Sequence, residues 1–109
     1  MSKKMHRKAK VFVNDQFAGF LEEVEYKKKY LFSYEDHYNG SPVSLTMPTS
    51  SRIYDYEGFP PFFDGLLPEG FMLNGLLRGL KIDRDDCMSQ LIAVGQDMVG
   101  NVTVELCDD

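Results

Sequence analysis

The stretch that decides the fold of this chain is residues 59–70, with the sequence FPPFFDGLLPEG. It contains five large apolar side chains and three prolines, with an acid on either side of the leucine pair. Because proline fixes φ and disfavours helix at the residue before it, residues 59–61 are predicted to run extended into a short helical turn. Pro68 and Glu69 then suit the first turn of a second helix, where a negative charge meets the positive end of the helix dipole.

Two interpretations of this stretch stay open. Its apolar side chains stand at helical spacing, which is typical of a hydrophobic core. Its prolines and acids instead indicate a rigid surface corner, and such a corner suits contact with another molecule. The chain before this stretch is predicted to form mainly strands, and the chain after it mainly helix.

Length and charge limit the classes of protein to consider. The chain has 109 residues, of which 43% are hydrophobic, so we expect one globular domain with a single core. The net charge is −5, yet the first ten residues carry five basic side chains and no acid. The acidic remainder disfavours nonspecific binding to nucleic acid. We expect a basic, solvated tail at residues 1–8, with contact to a phosphate or an acidic partner as the alternative, and a domain at residues 9–107.

The cysteines and the hydropathy pattern indicate a compartment. Cys87 and Cys107 lie far apart and form no CxxC pair, and no apolar run approaches the ~20 residues of a membrane span. No signal peptide opens the chain. These features predict a cytoplasmic protein with free thiols, although one disulfide stays open at this point.

In the first half of the chain, apolar and polar residues alternate as they do in β-strands. Residues 9–13 and 17–21 flank a polar turn and predict a hairpin, in which Gly19 indicates a bulge or a close backbone approach. Residues 30–34 and 42–48 predict two further strands. The side chains predicted to face inward are Ala9, Val11, Val13, Tyr30, Phe32, Tyr34, Val43, Leu45 and Met47.

The second half is predicted to be mostly helical. Residues 49–58 are turn-rich, and residues 71–80 carry a helical stripe formed by Leu73, Leu76, Leu77 and Leu80. Gly75 and Gly79 lie four apart, which suggests that another backbone packs closely there. Asp83 is predicted to cap a helix that ends at Gly95. A turn at residues 95–100 then leads into a last strand, in which Val102, Val104 and Leu106 face inward.

No motif for catalysis or metal binding is recognised. Acyl transfer needs a nucleophile with an aligned base, and phosphoryl transfer needs a phosphate cradle with metal-binding acids; neither pattern is present. His37 stands without other metal-ligating residues nearby. Residues 83–86 resemble a calcium loop but lack its glycine, so helix capping is favoured. Lysines 27–29 suit an anion site less well than a hydrated turn with local charge pairing.

Three blocks of sequence resemble a known family. These are residues 42–48 (PVSLTMP), 62–70 (FFDGLLPEG) and 94–103 (VGQDMVGNVT), in the order and spacing of the N-terminal subdomain of HipA-type toxin kinases. The resemblance covers residues 9–106 and implies an α+β domain with an antiparallel, partly barrel-like sheet flanked by short helices. The sequence departs from the family at Asn101, where alanine is common, and in having no tryptophan.

The resemblance also implies a function. In split systems of this family, a small HipS-like antitoxin binds and restrains a HipT-like Ser/Thr kinase, and a HipB-like helix-turn-helix protein binds DNA. The chain is therefore expected to be a non-catalytic regulatory subunit without a cofactor, and to bind no nucleic acid or membrane directly. The predicted partner-binding residues are Phe59, Phe62, Phe63, Asp64, Leu66, Leu67, Pro68, Glu69 and Phe71. Without tryptophan, one of the corner's phenylalanines or Tyr56 would have to insert into the kinase.

Two other functions are weighed against this one. The protein could complete a split kinase as a structural or activating subunit, in which case mixing would raise kinase activity. It could also be a small enzyme, which the absence of a recognisable active site disfavours.

Overall fold

The computed structural model describes residues 7–67, 70–95 and 101–107, which form five strands and three helices. In chain order these are β1 (Arg7–Val13), β2 (Gln16–Glu25), β3 (Lys29–Tyr34), β4 (Ile53–Glu57), α1 (Pro61–Asp64), α2 (Gly70–Leu80), α3 (Cys87–Val94) and β5 (Val102–Leu106). The strands make one antiparallel sheet in the order β4-β3-β2-β1-β5. This confirms the α+β class with an antiparallel sheet and short helices. The sheet is open and not closed into a barrel, because its edge strands β4 and β5 do not pair with each other.

The predicted hairpin of β1 and β2 is confirmed. Its turn places Asn14 and Asp15 at φ 52° and 66°, the left-handed conformation that a two-residue hairpin turn requires and that these residue types tolerate. β1 begins at Arg7, so two residues that were predicted to belong to the basic tail lie in the sheet. The domain boundary otherwise stays a prediction, since residues 1–6 lie outside the described residues.

Gly19 produces both a bulge and a close approach, as its position in the sequence predicted. The pairing register of β1 and β2 shifts between Val11 and Phe12, opposite Gly19. A Cβ atom on Gly19 would lie only 2.1 Å from the carbonyl oxygen of Ser33 on the neighbouring β3. Only glycine lets the two backbones come this close.

The bulge decides which residues of β2 face the core. Because side chains alternate along a strand, one extra residue reverses the faces beyond it. Leu21 and Glu23 therefore point to the inner face, in register with Phe32 and Tyr30, while Phe20 and Glu22 point outward. Both inward residues are fully buried.

The core lies between the inner face of the sheet, α1, α3 and the loop that joins β3 to β4. Its buried side chains come from all of these parts. They are Ala9, Val11, Val13, Ala18, Leu21, Tyr30, Phe32, Tyr34, Tyr38, Val43, Met47, Phe63, Met88, Leu91, Val102 and Val104. The predicted inward faces of β1 and β3 are thus confirmed, whereas Leu106 at the end of β5 is half-exposed.

The strand predicted at residues 42–48 is wrong. This segment is a loop held by the hydroxyl of Tyr34, which accepts a hydrogen bond from the Val43 amide (2.9 Å) and donates one to the Met47 carbonyl. Val43 and Met47 are buried as predicted, but Leu45 is 94% exposed. The prolines at both ends lack the N–H that a strand ladder needs, and the tyrosine satisfies the backbone instead.

Three further expectations need correction. Part of the segment predicted to be turn-rich, residues 53–57, is strand β4. α3 is capped by Asp86 instead of Asp83, because the Asp86 side chain accepts a hydrogen bond from the Ser89 amide at 3.2 Å. The predicted backbone contact at Gly75 and Gly79 is wrong for the described residues, since no atom lies within 4 Å of a Cβ built on either.

The remaining predictions for the second half of the chain concern its two helices and the turn after them. α2 is present and α3 ends at Gly95 as predicted. Leu77 is half-buried, and Leu80 is 55% exposed. The side chains of Leu73 and Leu76 and the predicted turn at residues 96–100 lie outside the described part. Of the helices that the structure describes, none has the length and apolar character to cross a membrane.

The close approach at Gly19 predicts opposite effects for two glycine-to-alanine changes. Gly19→Ala is expected to destabilise the protein by about 2 kcal/mol or more, because the new methyl group meets backbone atoms that cannot move independently. Gly75→Ala, in open space on α2, is expected to stabilise it by about 0.5–1 kcal/mol through helix propensity. Urea unfolding of both variants measures these differences, and a Gly19→Ala variant as stable as the parent would contradict the role of the close approach.

Candidate functional site

The corner at residues 59–67 is built by its prolines. Pro60 is extended at φ −58° and ψ 132°, and Pro61 occupies the first position of α1, where a missing N–H is harmless. The chain then closes helical hydrogen bonds from the Asp64 amide to the Pro60 carbonyl (2.9 Å) and from the Gly65 amide to the Pro61 carbonyl (3.0 Å). The extended entry and the short helical turn are both as the sequence predicted.

Aromatic contacts fix this corner to β3. The ring of Phe59 meets the ring of Tyr30 edge-on at 5.1 Å between centroids, and Phe63 lies 6.0 Å from Phe32. Phe62 packs edge-on against Phe63 at 5.2 Å. Pairs of this geometry stabilise by about 0.5–1.5 kcal/mol each beyond the burial of apolar area. The corner is therefore a rigid platform.

The predicted contact residues separate into an anchor and a surface. Phe63 is fully buried, so in this conformation it positions α1 and presents no surface to a partner. Phe59, Phe62, Leu66 and Leu67 pack against the core but stay partly exposed, and Asp64 is exposed. The stretch thus contributes one side chain to the core and several to a partly exposed surface, and contact with a partner stays a prediction for all of them.

For three more of the predicted contact residues, the structure describes no side chain. Pro68 and Glu69 lie outside the described residues, and Phe71 lies on α2 with its side chain outside the description. We name the surface formed by Phe59, Phe62, Asp64, Leu66 and Leu67 the corner surface.

A buried charge network forms a second cluster, which the sequence did not predict. The Arg7 guanidinium donates to both carboxylate oxygens of Glu23, at 2.7 and 3.0 Å, to Asp86 at 2.8 Å and to the Ser89 hydroxyl at 2.6 Å. The hydroxyl of Tyr30 also donates to Glu23, at 3.2 Å. The network joins β1, β2, β3 and the start of α3.

The electrostatics of this network follow from burial and pairing. Burial by itself would lower the pKa of Arg7, but the hydrogen bonds to Glu23 and Asp86 outweigh it and raise the pKa above its ordinary value. Burial would likewise raise the pKa of Asp86, yet hydrogen bonds from Arg7 and Ser89 lower it below 3.8. Both groups are held in their charged forms, as a structural ion pair requires.

The bulge in β2 is the reason why the Arg7–Glu23 pair is not recognised from the sequence. Counting back from the Asn14–Asp15 turn without a bulge pairs Arg7 with Glu22, whereas the observed register pairs it with Glu23. Glu23 then stands on the inner face, where it needs a buried cation. If the position of the bulge at Gly19 were known, the pairing register would identify Arg7 and Glu23 as partners.

The acidic segment before α3 is engaged by a lysine. The ammonium of Lys27 lies 3.4 Å from a carboxylate oxygen of Asp83 and 3.0 Å from one of Asp85. Lys27 lies in the turn between β2 and β3, where Lys28 also pairs with Glu25 at 3.9 Å, so a turn with charge pairing is present. Among the described residues, no group of three or more His, Cys, Asp or Glu is arranged to hold a metal ion.

The cysteines are not joined. Neither Cys87 nor Cys107 is in a disulfide, and both side chains are half-buried. Burial, with a further contribution from the Asp64 charge, raises the pKa of the Cys87 thiol, which disfavours the reactive thiolate.

Comparison with known proteins identifies the family. Residues 9–105 match the family of HipA N-terminal domains. A protein of Haemophilus influenzae strain Rd, described as uncharacterized, is 31% identical over 99 residues, which cover 91% of this chain and 92% of that protein. A solved structure titled "N-terminal domain of HipA toxin" superposes with a TM-score of 0.76 at 28% identity, over 99% of both chains.

The fold is thus that of a HipA N-terminal domain. The chain belongs to the HipA N-terminal domain family, which implies a role related to toxin–antitoxin systems. The resemblance inferred from the three sequence blocks is confirmed.

The Asp86 contacts predict a loss of stability in acid. A carboxylate whose pKa is lower in the folded than in the unfolded protein stabilises the fold at pH values above its unfolded-state pKa. This stabilisation is lost as the pH falls below 3.8. Asp86→Asn keeps a capping side chain but removes the charge, so the variant is expected to be about 1–3 kcal/mol less stable near neutral pH. Urea unfolding should show this difference shrinking below pH 3.8.

The control for this experiment is Asp15→Asn, in the exposed β1–β2 turn. Near neutral pH it is expected to lose less stability than Asp86→Asn, because the Asp15 side chain lies in an exposed turn. A stability difference for Asp86→Asn that stays constant from neutral pH into acid would contradict the ion-pair role of Asp86.

Proposed function

We propose that the protein is a non-catalytic antitoxin subunit that binds a HipT-like Ser/Thr kinase and restrains it. Family membership supplies the toxin–antitoxin context. The Haemophilus influenzae relative is matched over 92% of its own length, so that relative consists almost entirely of this domain. The observation that carries the proposal is a rigid, partly apolar corner surface on a domain of this family.

The corner surface has the composition of a contact site. Phe62, Leu66 and Leu67 offer partly exposed apolar area beside the exposed carboxylate of Asp64. Because Phe63 and Phe59 fix the backbone to β3, little conformational freedom is lost when a partner binds. Pro68, Glu69 and Phe71, which follow in the sequence, are proposed to contact the same partner.

Restraint of the kinase requires more than binding. A subunit shifts a conformational equilibrium only if it binds one state better than the other. Insertion of an aromatic side chain such as Phe62 into the kinase would achieve this if the insertion site existed in the inactive state alone. The net charge of −5 favours association with a basic surface.

Other components of such a system have separate tasks. Operator binding is assigned to a HipB-like helix-turn-helix protein, which can join the same complex. The complex is proposed to act in the cytoplasm, where the half-buried thiols of Cys87 and Cys107 stay reduced.

The corner surface predicts which substitutions release the kinase. Asp64→Arg combined with Leu67→Gln is expected to weaken binding to the HipT-like kinase about a hundredfold, because a partner-facing charge is reversed and an apolar contact is lost. Calorimetry measures the affinity, and kinase autophosphorylation with and without the protein measures restraint. The matched control is Leu45→Gln, since Leu45 is 94% exposed in the loop between β3 and β4.

Each outcome of this experiment discriminates. Absence of a complex with the parent protein on gel filtration would end the proposal. Higher kinase activity on mixing would instead establish the activating subunit as the function. Equal weakening by the corner variant and by Leu45→Gln would remove the corner surface from the interface.

A further inference from the structure

The two edges of the sheet differ in how their backbones are covered. At the β5 edge, the outward amide of Val104 donates to the carbonyl oxygen of Gly95 at 3.1 Å. A Cβ on Gly95 would lie 2.0 Å from the Val104 carbonyl oxygen, so the end of α3 presses directly on this edge. Covering an edge strand is a common way to prevent further strand pairing.

Among the residues that the structure describes, none covers the β4 edge in this way. The Tyr34 amide donates to the Arg52 carbonyl and the Gly58 amide to the Lys28 carbonyl, so the even-numbered residues of this segment turn their backbone groups toward β3. By alternation, the N–H and C=O groups of Ile53, Asp55 and Glu57 point away from the sheet. Within the described residues no hydrogen bond engages these six groups.

Two shallow depressions lie on the face of the sheet next to this edge, each lined by residues of β2, β3 and β4. One, of about 320 Å³, is lined by residues that include Phe20, Ile53, Glu35, Asp36 and Arg52. The other, of about 210 Å³, is lined by residues that include Val24, Lys29, Asp55 and Glu57. In strand addition, main-chain hydrogen bonds at the open edge supply affinity, and depressions on the neighbouring face receive side chains.

The charges at this edge favour one kind of occupant. Asp55 and Glu57 project from the outer face, and Glu35 and Asp36 lie beside Ile53. Two cations are near: Lys29 lies opposite Glu57 in register, and Arg52 donates to the Tyr38 carbonyl. Within the described part of the chain, no ion pair engages Asp55 or Glu57.

A second copy of this chain fits poorly. Antiparallel pairing of two β4 strands about Asp55 would place the two Asp55 carboxylates opposite each other. Like charges directly across a strand pair are destabilising.

We infer that β4 is a docking edge for an extended, basic segment of another polypeptide, which adds as a sixth strand to the sheet. The segment places basic side chains on the outer face opposite Asp55 and Glu57, and apolar ones on the inner face beside Tyr54 and Tyr56. This site is distinct from the corner surface and does not depend on the identity of the kinase. The unpaired N–H and C=O groups of β4 and the acidic side chains on its outer face are sufficient to support this site.

The test uses the full chain and a capped eight-residue peptide of alternating lysine and valine. Binding is followed by nuclear magnetic resonance, and the amides of Ile53, Asp55 and Glu57 are expected to shift and to gain protection from hydrogen exchange. A peptide of alternating glutamate and valine is expected to bind at least about tenfold more weakly at low salt. Equal binding of the two peptides, or shifts centred on other residues, would overturn the inference.

Variants of one position separate backbone pairing from charge. Asp55→Asn removes the carboxylate and keeps the outward N–H, whereas Asp55→Pro removes both without breaking the ladder to β3, so Asp55→Pro should keep the fold and bind the peptide more weakly than Asp55→Asn. Asp55→Lys should lose the preference for the basic peptide, whereas Asp15→Lys, in the β1–β2 turn, should keep it. Equal binding by folded Asp55→Pro and Asp55→Asn variants contradicts strand addition.

A final measurement addresses self-association. Sedimentation over a range of concentrations is expected to show no pairing through β4. Concentration-dependent dimers in which the same three amides are protected would overturn the inference and assign the edge to a second copy of this chain.

Discussion

The close approach of Gly19 to the backbone of β3 is the constraint on which the rest of the structure depends. It allows the bulge opposite Val11, and the bulge turns Leu21 and Glu23 to the inner face of the sheet. A buried carboxylate needs a cation, and the same register shift brings Arg7 directly opposite Glu23. Arg7 in turn binds Asp86, the residue that caps α3.

The Arg7 network fixes the position of α3 more than it stabilises the fold. A buried ion pair contributes little net free energy compared with apolar residues of similar volume, but loss of one partner costs about 3–5 kcal/mol. Without the bulge, Glu22 would stand opposite Arg7, and Leu21 and Glu23 would turn to the outer face, away from Phe32 and Tyr30. We therefore interpret the burial of Leu21 as the feature that favours the bulged register, and the network as the device that docks the start of α3 on the sheet.

The corner surface and the open β4 edge are neighbours in the sequence. β4 ends at Glu57, and the corner surface begins two residues later at Phe59. Phe59 packs on Tyr30, whose strand also pairs with β4, so both surfaces are held by β3. A rigid, partly apolar corner surface therefore lies next to an open strand edge in chain order, and both depend on the position of β3.

Local chemistry determined much of the structure from the sequence alone. The prolines at 60 and 61 set the entry to α1, Asn14 and Asp15 set the hairpin turn, and alternation set the buried faces of β1 and β3, because each effect acts within a few residues. Only the tertiary structure decided the conformation of residues 42–48. Their backbone hydrogen-bonds to the hydroxyl of Tyr34 on β3 instead of pairing with another strand. It also decided the Arg7 network and the contrast between a covered and an open sheet edge. These depend on contacts between residues far apart in the chain, and no local pattern specifies such contacts.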